Sequence, residues 1–370
     1  MSLASRTMSR EYYIFLRKHF RLAPANVPVP GEDDYHPLSN ISAGTGHIQH
    51  RSRLLWNLGG VVAVDEGRTT SKSDHNAYKI RAPNKPCRMG WEWLSMNDRS
   101  TQRIGFIWSH LPLVGKYTID PDEIQSENEP KMFQYVRNVT KDIHGTGRMV
   151  VIDRKYFSMQ VMEVARDEWG LRMVATICGK PKCLPQRIRF ANSKCLKYAR
   201  IHWNKGDWYS YQSDTGINVH VFQHNAQMRI ADNCLDWDET WIIKDEYSDE
   251  SSDEYEVPAA YHYYNSCYHF SDRINQDASY FGMEYRTVRQ RMSLAFKIIE
   301  MYGWINPWIV YYEVQQRQGV EVVENQHKYG QRAFRKDIEG TPSPFTKKKI
   351  FLCFLSRSLA IGVSSTKSTI

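Results

Sequence analysis

The sequence predicts an α/β fold with a separate unit of short strands, on three observations. Two short β-branched runs, Gly59 to Asp65 and Met149 to Asp153, each lead into an aspartate. Helical stretches with one apolar face lie between and after them. From 178 to about 243 the pattern changes to short alternating runs broken by proline and glycine, which reads as a separate unit of strands and turns. A chain of 370 residues is long enough for one large core or two medium ones.

In order along the chain, residues 11 to 21 alternate apolar and basic positions and suit one short basic helix. Pro24, Pro28, Pro30, Gly31 and Pro37 then read as a linker, because proline fixes φ and removes a backbone donor. The first apolar strand ends in Asp65, and further strands are expected around Met89 to Met96 and Ile104 to His110. Lys131 to Asp142 suits a helix, with Met132, Tyr135 and Val136 on one face and Gly145 and Gly147 ending it. The second strand ends in Asp153, and Ser158 is placed to cap a helix that closes near Gly170. Leu171 to Ile177 reads as another strand. The acidic run 244–256 reads as a solvated loop. After Pro258 the chain turns helical, with Asp272 on the first helical stretch and Pro307 interrupting a later one.

The formal charge is +8, which suits a polyanionic partner and equally a merely soluble basic surface. Ordinary apolar content excludes fibrous and wholly disordered classes. Seven scattered cysteines form no disulfide framework and point to a reducing compartment. The N-terminal stretch has charges inside its apolar positions and no signal-peptide core. Ile350 to Val363 is too short, and too interrupted by Arg357, to span a bilayer, so no membrane partner is expected.

Aspartates at the ends of neighbouring strands converge, and a third carboxylate from a following helix would complete an oxygen-rich cage for Mg²⁺ or Mn²⁺. Two such ions roughly 4 Å apart support phosphodiester transfer. Spacing alone leaves open the plainer reading that strand-end aspartates cap turns.

The flanking segments narrow the choice. VAVDEG runs through Asp65 and is followed by RAPNKPCRMGWEWL at 81–94. VVIDRKYFSMQVMEVARDEWGLRMVATICGKPKCLP runs through Asp153, and YYNSCYHFSDRINQDASYF through Asp272. In this order the three blocks resemble the piggyBac transposase family: a strand with "DE" and a later "P-N-K-P", then strand-Asp-aromatic pair-helix-strand, then "Y-N-x-x-M-x-G-V-D-x-x-D-Q". Tyr264, Asn265, Asp272 and Gln276 keep the intervals of the last block, and Asn306, Trp308 and Tyr311 resemble the family's closing helix. The resemblance spans roughly residues 60 to 312.

It implies a ribonuclease-H-like core, a mixed sheet flanked by helices, with Asp65 on the first strand, Asp153 after the fourth and Asp272 on a helix. These three would be the catalytic residues and would hold two Mg²⁺ (or Mn²⁺) ions, with Glu66 in a supporting role. The expected organisation is an N-terminal segment at 1–53 (a remnant of a DNA-binding lobe), the core at 54–177, a β-rich insertion at 178–262, the helical second part of the core at 263–314, and a tail at 315–370. Double-stranded DNA, as transposon ends and target, is the implied partner, in a homodimer acting in the nucleus. The chain departs from the pattern at Asn275, where the family has a fourth aspartate, at Phe270-Ser271, and at Tyr268. A copy that binds DNA or chromatin without cutting it is therefore the alternative.

Lys180, Lys182, Arg187, Arg189, Lys194 and Lys197, interleaved with Phe190 and Tyr198, suit phosphate contact and base stacking, or a solvated strand face. Arg286 and Arg289 would follow bound DNA or the solvent side of a helix. Cys178, Cys183, Cys195 and His202 offer one loose pair where structural zinc needs two tight ones, so plain thiols are the simpler reading. Lys347 to Lys349 is a basic triplet of the nuclear-import kind, or a chance one.

Overall fold

The computed structural model describes residues 11, 22, 28, 31–32, 34–71, 76–83, 87–98, 105–119, 129–177, 204–223, 227–236, 238–244, 254–280 and 290–318, with backbone alone at 244, 269–273, 275–280 and 290–291. At its centre is a nine-stranded mixed sheet. Its strands are β1 (Val61–Thr70), β2 (Ile80–Arg81), β3 (Met89–Asp98), β4 (Phe106–Pro112), β5 (Met149–Ile152), β6 (Arg172–Thr176), β7 (Trp208–Gln212), β8 (Asn218–Gln223) and β9 (Gln227–Asp232). The order is β2-β3-β1-β5-β6-β9-β8-β7, with β4 also on β3. Only β1, β5 and β6 run parallel. A separate hairpin pairs β10 (Thr240–Lys244) with β11 (Glu254–Pro258).

Because side chains alternate along a strand, β1 sends Val62 and Val64 to one face and Ala63 to the other. The first face packs under α2 (Lys131–Thr140) and α3 (Met159–Asp167), burying Val136, Val139, Val161 and Met162. The second is covered by α1 (Ser39–Arg53), α4 (Ala259–Tyr280), α5 (Gln290–Glu300) and α6 (Asn306–Arg317). Three layers result, as a parallel sheet centre buried on both sides requires. Ser158 caps α3 as expected, its hydroxyl accepting from the Val161 N–H at 3.1 Å.

Five local expectations change. β1 does not stop at Asp65: five more residues continue it, because Glu66 to Thr70 all find partners on β3, from Glu66↔Leu94 to Thr70↔Gly90. The unit after residue 178 is not separate, since β9 pairs antiparallel with β6 and brings β8 and β7 into the core sheet. Part of the acidic run is strand β11: Glu254-Tyr-Glu-Val alternates, and Val257 is buried while Glu254 faces out. Pro307 does not interrupt the last helix. A π-helical turn at Met301–Ile305 joins α5 to α6, and Pro307 sits in the first turn of α6, where its missing N–H costs little. α1, within the N-terminal segment expected at 1–53, is a helix of 15 residues. The basic helix expected at 11–21 lies outside the described residues, Glu11 apart.

Candidate active site

β1 and β5 are parallel, in register from Val61↔Met149 to Val64↔Ile152. One step further places Asp65 beside Asp153, on strands about 4.8 Å apart. Alternation puts both on the face of Ala63 and Val151, which α4 covers with Ala260, Tyr261 and Cys267. Asp272 is on that same helix; its side chain lies outside the described residues. Asp65 on the first strand and Asp272 on a helix stand as expected, whereas Asp153 follows the fifth strand and not the fourth, because the two-residue β2 intervenes; Asp65 and Asp153 come to adjacent positions on one face.

The Asp153 carboxylate is held from β6. Thr176 Oγ1 donates to its Oδ1 at 3.0 Å, and the Arg154 N–H donates to the same oxygen at 2.7 Å. Both donors meet Oδ1, which fixes the carboxylate's rotation while Oδ2 has no hydrogen-bond partner among the described residues. From α4, Tyr264 closes over this corner. Burial pushes its hydroxyl up to about 12, against the pull of Thr176 and with the added push of the Asp153 and Asp65 charges. Tyr264 stacks on Tyr268, the residue standing where the piggyBac pattern has methionine, with ring centroids 5.3 Å apart. Gly67, two residues past Asp65 on the same face, lets the Trp93 indole lie against the strand: a Cβ there would meet Trp93 Nε1 at 2.1 Å.

The Asp65 and Asp153 carboxylates and the Thr176 and Tyr264 hydroxyls meet at this corner, oxygen groups of the kind that fit a hard divalent cation such as Mg²⁺ or Mn²⁺. Among the described residues no three His, Cys, Asp or Glu side chains gather as a metal cage; Asp272 is not one of the side chains described.

Lys180, Lys182, Arg187, Arg189, Lys194, Lys197, Arg286 and Arg289 lie outside the described residues, as do Cys178, Cys183, Cys195, His202 and Lys347 to Lys349. Thr176 and Tyr264 went unremarked as site residues in the sequence, although Tyr264 stands in the third motif. Thr176 could have been found from strand pairing, since Ile152↔Ala175 puts it beside Asp153. His220 on β8 is buried: Nε2 lies 2.8 Å from Asp232 Oδ2 and Nδ1 2.6 Å from Ser210 Oγ. No helix among the described residues is long and apolar enough to cross a membrane.

Comparison with protein families matches residues 1–306 to the family described as Transposase IS4. A search of curated proteins finds no match. Among solved structures the chain is similar to a piggyBac transposase, solved by cryo-electron microscopy as a synaptic complex with hairpin DNA. The match has a TM-score of 0.68 at 18% identity and covers 100% of this chain and 67% of that one. The mixed sheet, its helical layers and this match together identify a ribonuclease-H-like fold of the piggyBac transposase kind.

Proposed function

Because the chain belongs to the Transposase IS4 family and is of the piggyBac type, we propose that it cuts and rejoins DNA through Asp65, Asp153 and Asp272. The observation that carries this reading is the register of β1 and β5, which sets Asp65 beside Asp153 under the helix that bears Asp272. Two Mg²⁺ (or Mn²⁺) ions, when bound, supply Lewis acidity for activating an oxygen nucleophile and stabilising the leaving oxygen of a phosphodiester. The chain's own contribution is to hold the ligands. Thr176 and the Arg154 N–H fix Asp153, while Asp65 pairs with Ser95 on β3 and the residue before it, Val64, pairs with Ile152 on β5. Water attacks a phosphodiester phosphorus at an element end and the 3′-oxygen leaves as a hydroxyl; that hydroxyl then attacks a phosphodiester phosphorus in DNA, and the 3′-oxygen of the attacked strand is the leaving group. Double-stranded DNA is the substrate, bound through the basic residues after Cys178 and after Tyr285, by a homodimer in the nucleus. The similar structure's hairpin DNA supports a DNA partner.

Asp153→Ala should abolish Mg²⁺-dependent nicking of DNA bearing the element's ends, with the circular-dichroism spectrum unchanged. Nicking by that variant at the wild-type rate would sink the assignment. A second reading, a silent derivative that binds DNA without cutting it, is favoured by Asn275, which keeps an acceptor oxygen but no charge at the family's fourth aspartate. Calorimetric titration with Mn²⁺ separates the two: the silent derivative takes up no pair of ions at the three carboxylates.

A further inference from the structure

The β1–β5 ladder is paired up to Val64↔Ile152, one residue before each aspartate. On the opposite face of the sheet the residues that follow each aspartate are bound to one another. Lys155 Nζ lies 2.6 Å from Glu66 Oε1 and 3.0 Å from Glu92 Oε1. Tyr156 donates its hydroxyl to Glu66 Oε1 at 2.9 Å. Arg68 Nε stands 3.1 Å from Glu92 Oε2, and its terminal nitrogens donate to the carbonyls of Cys87 at 3.0 Å and Ile80 at 3.1 Å. Glu66 follows Asp65 directly; Lys155 and Tyr156 stand two and three places after Asp153.

Stability alone does not account for this arrangement. The Glu66, Glu92 and Arg68 side chains are only 11%, 8% and 7% exposed, and desolvating such charges offsets much of their attraction, so apolar residues would serve stability at least as well. What charged hydrogen bonds add is narrow geometry. Burial and the charges of Glu66, Glu92 and Asp65 hold the Tyr156 phenol protonated, so it remains a donor at any working pH.

We infer that Glu66, Lys155 and Tyr156 are positioning residues, a clamp behind the site that sets the separation of Asp65 and Asp153 for a pair of divalent ions. This rests on the two-ion reading given above. The test is Mn²⁺ titration of the full chain followed by electron paramagnetic resonance, whose exchange-coupled spectrum appears only when two ions sit at bridging distance. Wild type should bind two Mn²⁺ with a coupled spectrum. Lys155→Met and Tyr156→Phe should keep the first ion, bind the second at least tenfold more weakly and lose the coupling; Lys155→Arg should restore it. Tyr156→Phe removes a single oxygen and guards against the case in which Lys155→Met fails to fold. Coupled spectra from both variants at wild-type Mn²⁺ concentrations would overturn the clamp and leave the two-ion reading standing. A wild-type protein without a coupled pair would overturn both.

Discussion

Asn306 reaches from α6 to the edge strand β4 and acts there as a strand partner. Its Oδ1 accepts from the Ile107 N–H at 3.0 Å, and its Nδ2 donates to the Ile107 carbonyl at 2.8 Å and to Ser52 Oγ at 2.7 Å. The side chain is 1% exposed, so Asn306→Ala would strand a backbone donor and acceptor away from water. The expected cost is about 2–4 kcal/mol, seen as a lower urea midpoint at unchanged slope, and Asn306→Leu, which fills the space, should not recover it. The motif made Asn306 visible in the sequence, but its task was not, because the partner lies 199 residues away. His110 makes a second case. Burial, then the nearby Arg53 charge, lowers its pKa to about 4, while its Nδ1 sits 2.9 Å from the Tyr302 hydroxyl. The folded chain thus keeps His110 neutral where the unfolded chain, near 6.5, takes up a proton. Its contribution is complete above pH 6.5 and is lost as pH falls from there towards 4. Denaturation midpoints should fall over that window, and His110→Gln should flatten the fall.

At the scale of elements, what could be read depended on whether the signal was local. The strand ending in Asp153 and the Ser158 cap were legible because β-branched runs and capping hydroxyls act within a few residues. Ser158→Ala should cost about 1 kcal/mol through the lost bond to the Val161 N–H, measured as a drop in thermal midpoint. α1 was not legible: Gly44, Thr45 and Gly46 sit in its middle, and glycine disfavours helix by about 1 kcal/mol. Contacts from elsewhere hold it, with Leu38 and Ile41 buried against α5 and α6. The second half of β1 was missed for a like reason, since Glu66 and Arg68 are polar and are carried by buried ion pairs that no alternation rule anticipates. Composition misled in β11, where many acids hid a strand whose inward residues are Tyr255 and Val257.

Across the whole molecule, the main consequence is that β7, β8 and β9 are structural parts of the core. Ile217, Val219, Val221 and Ala231 share a buried cluster with Val62, Val150 and Met162, and Asp232, Ala231 and Ile230 pair with Val174, Ala175 and Thr176. Asn233 stitches the junction: its Oδ1 accepts from the Met173 N–H at 2.6 Å, and its Nδ2 donates to the Met162 carbonyl at 2.8 Å. Since β6 carries Thr176, which orients Asp153, the strands beyond β6 also brace the candidate site. A lobe joined only by linkers would open by itself, whereas strands in one continuous sheet open together. Asn233→Ala, which unpairs a buried N–H and carbonyl, should therefore lower the hydrogen-exchange protection of Val174 on β6 and Val221 on β8 by the same amount. That shift should be about 1–3 kcal/mol, in a single unfolding transition. Loss of protection at Val221 with Val174 unchanged would mean that β7 to β9 fold as a unit apart, and that Asp153 does not depend on them.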